Sequence, residues 1–210
     1  MKTVADPSRG LGGEAPRLMR AVVFTSPNAF ALQELPTPRA GPREALVRVR
    51  ASMVCASDAK ILAGKFPATR FPHVPGHEFA GDVVTSADER FPVGTRVGVE
   101  AHVGCGTCER CREGMYTLCL NYGKRETGHA HVGFTIGGGL AEFAAVPIAA
   151  VHVLPEHVTF DQGAWTDNLG VALWALSEAG WQAASTSSSS ARARSDSASH
   201  SWRARSAPVG

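Results

Sequence analysis

Cys105, Cys108, Cys111 and Cys119 lie in one short stretch and account for four of the five cysteines in this 210-residue chain. Two C-x-x-C steps that share a sulfur, followed by a loop to a fourth cysteine, let four thiolates close around a single ion. Zinc takes four sulfurs tetrahedrally at about 2.3 Å, and such a closed sphere is structural because no corner stays open to water or substrate. Gly104, Gly106 and Gly114 are expected to supply the tight turns that aim the sulfurs inward. Two disulfides are the alternative use of four cysteines. A start without a recognisable secretory leader is read as an intracellular chain with reduced thiols, which favours metal. A lobe of this kind constrains the fold far more than the activity, and for activity the remaining cysteine, Cys55, is informative.

At 44% hydrophobic, the chain can bury one substantial core. Its apolar runs break before the roughly 18 residues of a membrane span, so a soluble, cytoplasmic protein with no membrane partner is expected. The formal charge of +2 is carried by the C-terminal stretch, where Arg192, Arg194, Arg203 and Arg205 face a single Asp196. The remaining body is close to neutral and lacks the basic face that nucleic acid requires.

Residues 1–18, polar and rich in Gly, Pro and Arg, read as a flexible extension. From 19 to 158 the chain alternates short β-branched runs with Gly/Pro clusters; candidate strands cover 20–25, 45–54, 78–86, 95–103 and 141–154. A mainly β, barrel-like domain with short helices is expected, the cysteine lobe forming 102–122. Over 159–182, Phe160, Ala164, Leu169, Leu173 and Leu176 recur at helical spacing. This predicts a linking helix, capped by Thr159 or Asp161 and interrupted around Asp167–Gly170. Residues 183–210 collapse to Ser, Ala and Arg and read as a disordered tail.

Cys55–Ala56–Ser57–Asp58 follows one predicted strand, and Gly76–His77–Glu78 opens another. A thiolate and an imidazole brought together make a zinc site with room for a substrate. Taken singly, a buried cysteine packs inertly and a lone histidine fills a hydrogen-bonding gap.

The order C-x-S-D, then GHE, then the four-cysteine lobe, then a Gly-rich turn before AEF resembles the zinc-dependent medium-chain alcohol dehydrogenase family. The resemblance covers roughly residues 19–182 and is nearest to the polyol, threonine and secondary-alcohol dehydrogenases. It implies a GroES-like catalytic domain whose catalytic zinc is held by Cys55 and His77, with Asp167 as candidate third ligand and a second zinc on Cys105, Cys108, Cys111 and Cys119. A helix-capping or solvated carboxylate is the alternative for Asp167. The resemblance further implies catalytic-site roles for Ser57, Asp58 and Glu78. Ser57 matches the hydroxyl that takes the alcohol's proton, Asp58 orients the ligating histidine, and Glu78 stands close to the metal. Lys60 occupies the place of a relay histidine found in some relatives and reads as a solvated lysine. His73, His102, His129 and His131 match no ligand position and read as surface or loop residues. The implied chemistry is hydride transfer from a small alcohol or polyol to NAD(P), with homo-oligomerisation expected of the full-length enzyme.

The family binds NAD(P) on a Rossmann domain after the linking helix, marked by G-x-G-x-x-G. That fingerprint is missing here, and Gly137–Gly138–Gly139 lacks the spacing. Codons permitted for 184–200, read in another register, spell EHVVVVGPGAIGLGV, a buried strand running into the fingerprint. A frameshift near Gln182–Ala184 is therefore expected, leaving a fragment that binds zinc but is inactive alone. A non-enzymatic zinc-stapled barrel is the alternative.

Overall fold

A computed structural model of the protein describes residues 15–181. The expected tail lies outside them, as does most of the N-terminal extension, although Leu18 is already the first residue of a strand. In chain order the strands are β1 (Leu18–Ser26), β2 (Ala29–Pro36), β3 (Glu44–Ser52), β4 (Phe79–Ser86), β5 (Arg96–Val99), β6 (His102–Val103), β7 (Ala130–His131), β8 (Phe143–Pro147) and β9 (Val151–Val153). The helices are α1 (Ala56–Leu62), α2 (Glu109–Arg112), α3 (Phe160–Ala164) and α4 (Thr166–Glu178). Among the described residues every strand pair is antiparallel, and no helix is long and apolar enough to cross a membrane.

The central sheet has five strands in the order β8-β3-β4-β5-β9. Its two edges, β8 and β9, are consecutive in the chain and joined by one 3₁₀ turn over Ile148–Ala150. Two edges tethered so closely force the sheet to roll towards closure, the usual escape of antiparallel sheets from open edges. The stretch expected as one strand over 141–154 is thus two, on opposite edges. Pro147, the last residue of β8, has no N–H to continue a ladder. The expected 95–103 strand is likewise divided, because Glu100 turns its N–H to Ala150 O and the chain leaves the sheet to start β6. Ala45, Val47, Phe79, Val83, Val97 and Val146 fill the rolled interior.

β1 and β2 form a hairpin, a strand pair of which only the first was expected. Their turn places Asn28 at φ +61°, a conformation asparagine tolerates better than most residues. β2 alternates half-buried with exposed positions, so its pattern in AFALQELP carries no strong apolar signature. β1 joins the barrel through Val22 N–H to Leu140 O and Glu142 N–H to Arg20 O.

Two local elements position the cysteines. β6 and β7 pair His102 with His131 and Val103 with Ala130, closing the neck of the cysteine lobe. α1 was not anticipated, although its signal is local: Cys55 is the N-cap residue and Asp58, three residues on, returns its carboxylate to the Cys55 N–H at 2.8 Å. Acidic side chains in a first turn also favour the helix dipole. Ile61, fully buried, anchors α1 against Phe24 and Phe134.

At the other end, Thr159 rather than Asp161 caps α3: Gln162 N–H donates to its hydroxyl and its own N–H donates to Gln162 Oε1. The helical break falls at Trp165, which ends α3 and opens α4, while Asp167–Gly170 runs helically. Gly163 packs α3 onto Leu154 and Ala80. α4 buries none of its residues, and Leu169, Val171, Leu173 and Trp174 are all exposed.

Replacing Ile61 by Ala removes the anchor of α1 and opens a cavity beside two phenylalanines. The expected cost is about 2–5 kcal/mol, read as a lowered urea midpoint. A loss below about 1 kcal/mol would mean that α1 is held elsewhere.

Candidate metal centre

Cys55 ends the excursion from β3 and starts α1, whereas His77 and Glu78 immediately precede β4. The sulfur, the imidazole and the carboxylate all present donor atoms within 4.8 Å of one another. His77 and Glu78 are buried and Cys55 is half-buried, so the cluster opens towards solvent on the sulfur side.

His77 owes its position to a backbone crossing. Gly76 sits at φ +96°, and a Cβ there would meet Leu140 N at 2.6 Å. A Cβ on Gly138 would lie 2.0 Å from Gly76 O. The glycine run before AEF therefore lets two chain segments touch directly behind the histidine. That close approach accounts for glycines unconnected with any nucleotide.

Asp58, which is 2% exposed, divides its two oxygens. Oδ2 accepts from Cys55 N–H, and Oδ1 lies 3.6 Å from His77 Nδ1. Both Oδ1 and Nδ1 are buried without a full hydrogen bond. With Nδ1 facing the carboxylate, the proton belongs on Nδ1, leaving the Nε2 lone pair aimed at the cluster. Ser57 Oγ lies 3.2 Å from Nε2, and Glu78 Oε1 lies 3.6 Å from it. Burial alone lowers the His77 pKa, but Asp58 and Cys55 together outweigh it and the net shift is upward. An imidazole drawn to positive charge in a buried pocket with a thiol and a carboxylate is a donor set suited to a divalent cation.

Asp167 stands outside this group. It lies in the first turn of α4, and burial raises its pKa, with His77 lowering it and Glu78 and Glu100 raising it. The carboxylate that completes the close set is Glu78. Lys60 is exposed on α1, as expected for a solvated lysine.

The four lobe cysteines form the second group within 4.8 Å. Cys105–Cys111 and Cys108–Cys119 sulfur pairs are each 3.9 Å apart. Disulfide sulfurs are bonded at about 2.05 Å, whereas sulfurs around tetrahedral zinc stand about 3.8 Å apart. Thr107 Oγ1 and N, Asn121 Nδ2 and Cys108 N all donate to Cys105 Sγ at 3.3–3.4 Å. These donors, the Thr107 hydroxyl foremost, pull its thiol down to about 5, and a thiolate is the form that binds metal. Burial first, and the other sulfurs after it, push Cys111 up to about 12. A cation seated among the four sulfurs would favour the thiolate form of all of them. Gly106 and Gly114 hold positive φ as turn residues, but Gly104 does not; a Cβ on it would strike Cys111 Sγ at 2.7 Å, so it supplies space instead.

Four further histidines, expected on the surface or in loops, correct the surface half of that expectation by their burial. His129 is 1% exposed and His73 is buried, the latter donating from Nε2 to Gly133 O at 2.8 Å. His131 Nδ1 shares a hydrogen bond of 2.6 Å with the Tyr122 hydroxyl and its ring stacks on Phe134 with ring centres 3.9 Å apart; the ring of His102 lies 4.9 Å from that of His131. Phe134 in turn packs 4.7 Å from His77, so a layer of rings joins the lobe's neck to the metal corner. Two-residue strands such as β6 and β7 leave no periodicity from which to infer this burial.

Burial lowers the pKa of His73, His102, His129 and His131, the last to about 3. The unfolded chain takes up these protons near pH 6.5. The folded chain resists, so stability is present above that pH and drains as pH falls towards the folded values. His77, shifted upward, acts in the opposite sense, one histidine against four, while Cys105, lowered to about 5, adds to the loss on acidification. The metal-free protein should therefore show a lower urea midpoint at pH 5 than at pH 7.5; a flat or rising profile would contradict the histidine layer.

The description "alcohol dehydrogenase GroES-like domain" matches residues 41–156 of the chain. D-altritol 5-dehydrogenase of Agrobacterium fabrum is 37% identical over 145 residues, covering 67% of this chain and 41% of that protein. L-Threonine 3-dehydrogenase of Saccharopolyspora erythraea is 40% identical over 161 residues, covering 74% and 45%. Among solved structures, a presumed zinc-binding dehydrogenase of Sinorhizobium meliloti 1021 bound to NADP superposes with a TM-score of 0.70 at 29% identity, over 77% of this chain and 45% of that one. The chain thus spans less than half the length of these relatives. Its motifs, its rolled antiparallel sheet and these likenesses agree: the chain belongs to the zinc-dependent medium-chain alcohol dehydrogenase family, of which it carries the GroES-like domain.

Proposed function

We propose that the chain is the metal-holding catalytic part of a zinc-dependent, NAD(P)-dependent alcohol or polyol dehydrogenase. The convergence of Cys55, His77 and Glu78 within 4.8 Å carries this reading. Zinc held there supplies Lewis acidity towards a substrate hydroxyl. The half-buried sulfur side is the open approach, where a small alcohol reaches the corner. Ser57, with Oγ beside His77 Nε2, is placed to receive the alcohol's proton and hand it outward. Asp58 fixes the imidazole tautomer and ring angle without touching substrate. Glu78 serves as the third donor, and Asp167 tunes the charge around it. The four lobe cysteines hold a second, structural zinc.

Hydride transfer needs a nicotinamide beside the corner. In the S. meliloti relative, NADP is bound by a chain more than twice as long as the matched part. The 210-residue chain alone is therefore proposed to bind zinc without turning over. Purified and supplied with NAD⁺ or NADP⁺ and a panel of alcohols and polyols, it should show no nicotinamide reduction. Measurable turnover would overturn the inactivity.

Metal counting tests the centre itself. The reconstituted chain should hold about two zinc ions, and Cys55→Ser or His77→Ala should reduce this to about one. One zinc in the unmodified chain would favour a zinc-stapled barrel without catalytic metal. Asp58→Asn should weaken the more labile zinc about 10–100-fold. Glu78→Gln should weaken it by more than about tenfold while Asp167→Asn stays within about threefold; the reverse order would hand the third position to Asp167.

A further inference from the structure

The loop after α1 and the loop after the cysteine lobe, distant in sequence, line an open pocket of about 460 Å³. Arg70 lines it from the first loop, and Lys124 and Arg125 from the second, with Glu126 as the one carboxylate. Among the described residues, none of these four side chains forms an ion pair or hydrogen bond. The polar groups of the wall are already committed: the Tyr122 hydroxyl is hydrogen-bonded to His131 Nδ1, and Thr135 Oγ1 accepts from the His131 N–H. The pocket thus offers recognition by charge, two guanidinium forks and an ammonium against a single carboxylate.

Like charges gathered in a concavity repel one another, and an anion seated among them relieves the repulsion. The lining carries a surplus of about two positive charges, which matches a phosphate group at about −1.5 to −2 and leaves a carboxylate ligand under-compensated. Arginine forks suit tetrahedral oxyanions through paired hydrogen bonds. The volume exceeds that of bare phosphate and lies in the range of small-molecule sites, so the mouth also admits an organic group.

We propose that this pocket, whose lining includes none of Cys55, His77 and Glu78, binds the phosphate of a small phosphomonoester. It stands independently of the dehydrogenase reading. The test titrates the full zinc-loaded chain calorimetrically at low ionic strength with inorganic phosphate, glycerol 3-phosphate and glycerol. Saturable binding of the two anions but not of glycerol is expected, weakening as salt is raised. Tighter binding of the ester assigns the organic group a place in the mouth, and equal binding assigns the site to the phosphate group alone; both support the pocket.

The paired substitution Lys124→Gln and Arg125→Gln should weaken binding about tenfold or more, since two charge-assisted contacts are lost. Glu126→Gln should tighten it severalfold by removing the like charge. These side chains are exposed, so the variants should fold normally, checked by an unchanged melting temperature. Cys55→Ser should leave the titration intact. Absence of saturable binding, indifference to both charge variants, or loss of binding in Cys55→Ser, which would move the anion to the metal, would each overturn the proposal.

Discussion

One buried carboxylate sets the geometry of the candidate metal corner. Asp58 uses one oxygen to hold the Cys55 N–H and faces His77 with the other, so helix start and imidazole orientation are fixed by the same side chain. A carboxylate 2% exposed is costly, and here one oxygen is hydrogen-bonded while the other faces the imidazole at 3.6 Å. Cys55 reaches its place because it is the residue at which α1 begins, and α1 begins there because Asp58 caps it. Sulfur and nitrogen, separated in the chain by α1 and the loop after it, are thereby referenced to one point.

The barrel supplies the other half of that alignment. Rolling the sheet through the β8–β9 turn brings the Gly138 region across Gly76, and the contact leaves no room for any side chain. His77 is thus held from behind by backbone and from the side by Phe134. Phe134 and His131 extend this packing to Tyr122, three residues beyond Cys119, so the lobe and the corner share a continuous layer of rings. Such layers rigidify through close packing, since dense interiors yield little to local displacement.

Much of this was legible from residues alone where chemistry is local. Four cysteines at short spacing announce a metal lobe, and the β1, β3 and β4 runs carry enough β-branched residues to be seen. β2 escaped notice because half its positions face solvent. α1 escaped because seven residues carry little periodicity, though its cap was written in Cys55 and Asp58. The division of 141–154 into two edge strands depends on pairing with β3 on one side and β5 on the other, information that no local pattern contains.

The sequence by itself determined the chemical inventory: which side chains can ligate, the order in which they come, and the family to which that order belongs. Only the tertiary structure brings the Glu78 carboxylate within 4.8 Å of the Cys55 and His77 donors, in a group that does not include Asp167. It also turned four histidines read as surface or loop residues into members of the interior or its margin. The physical reason is common to both. Ligand identity resides in the side chain, but donor distance and burial depend on how remote segments pack, and that is fixed only when the sheet closes.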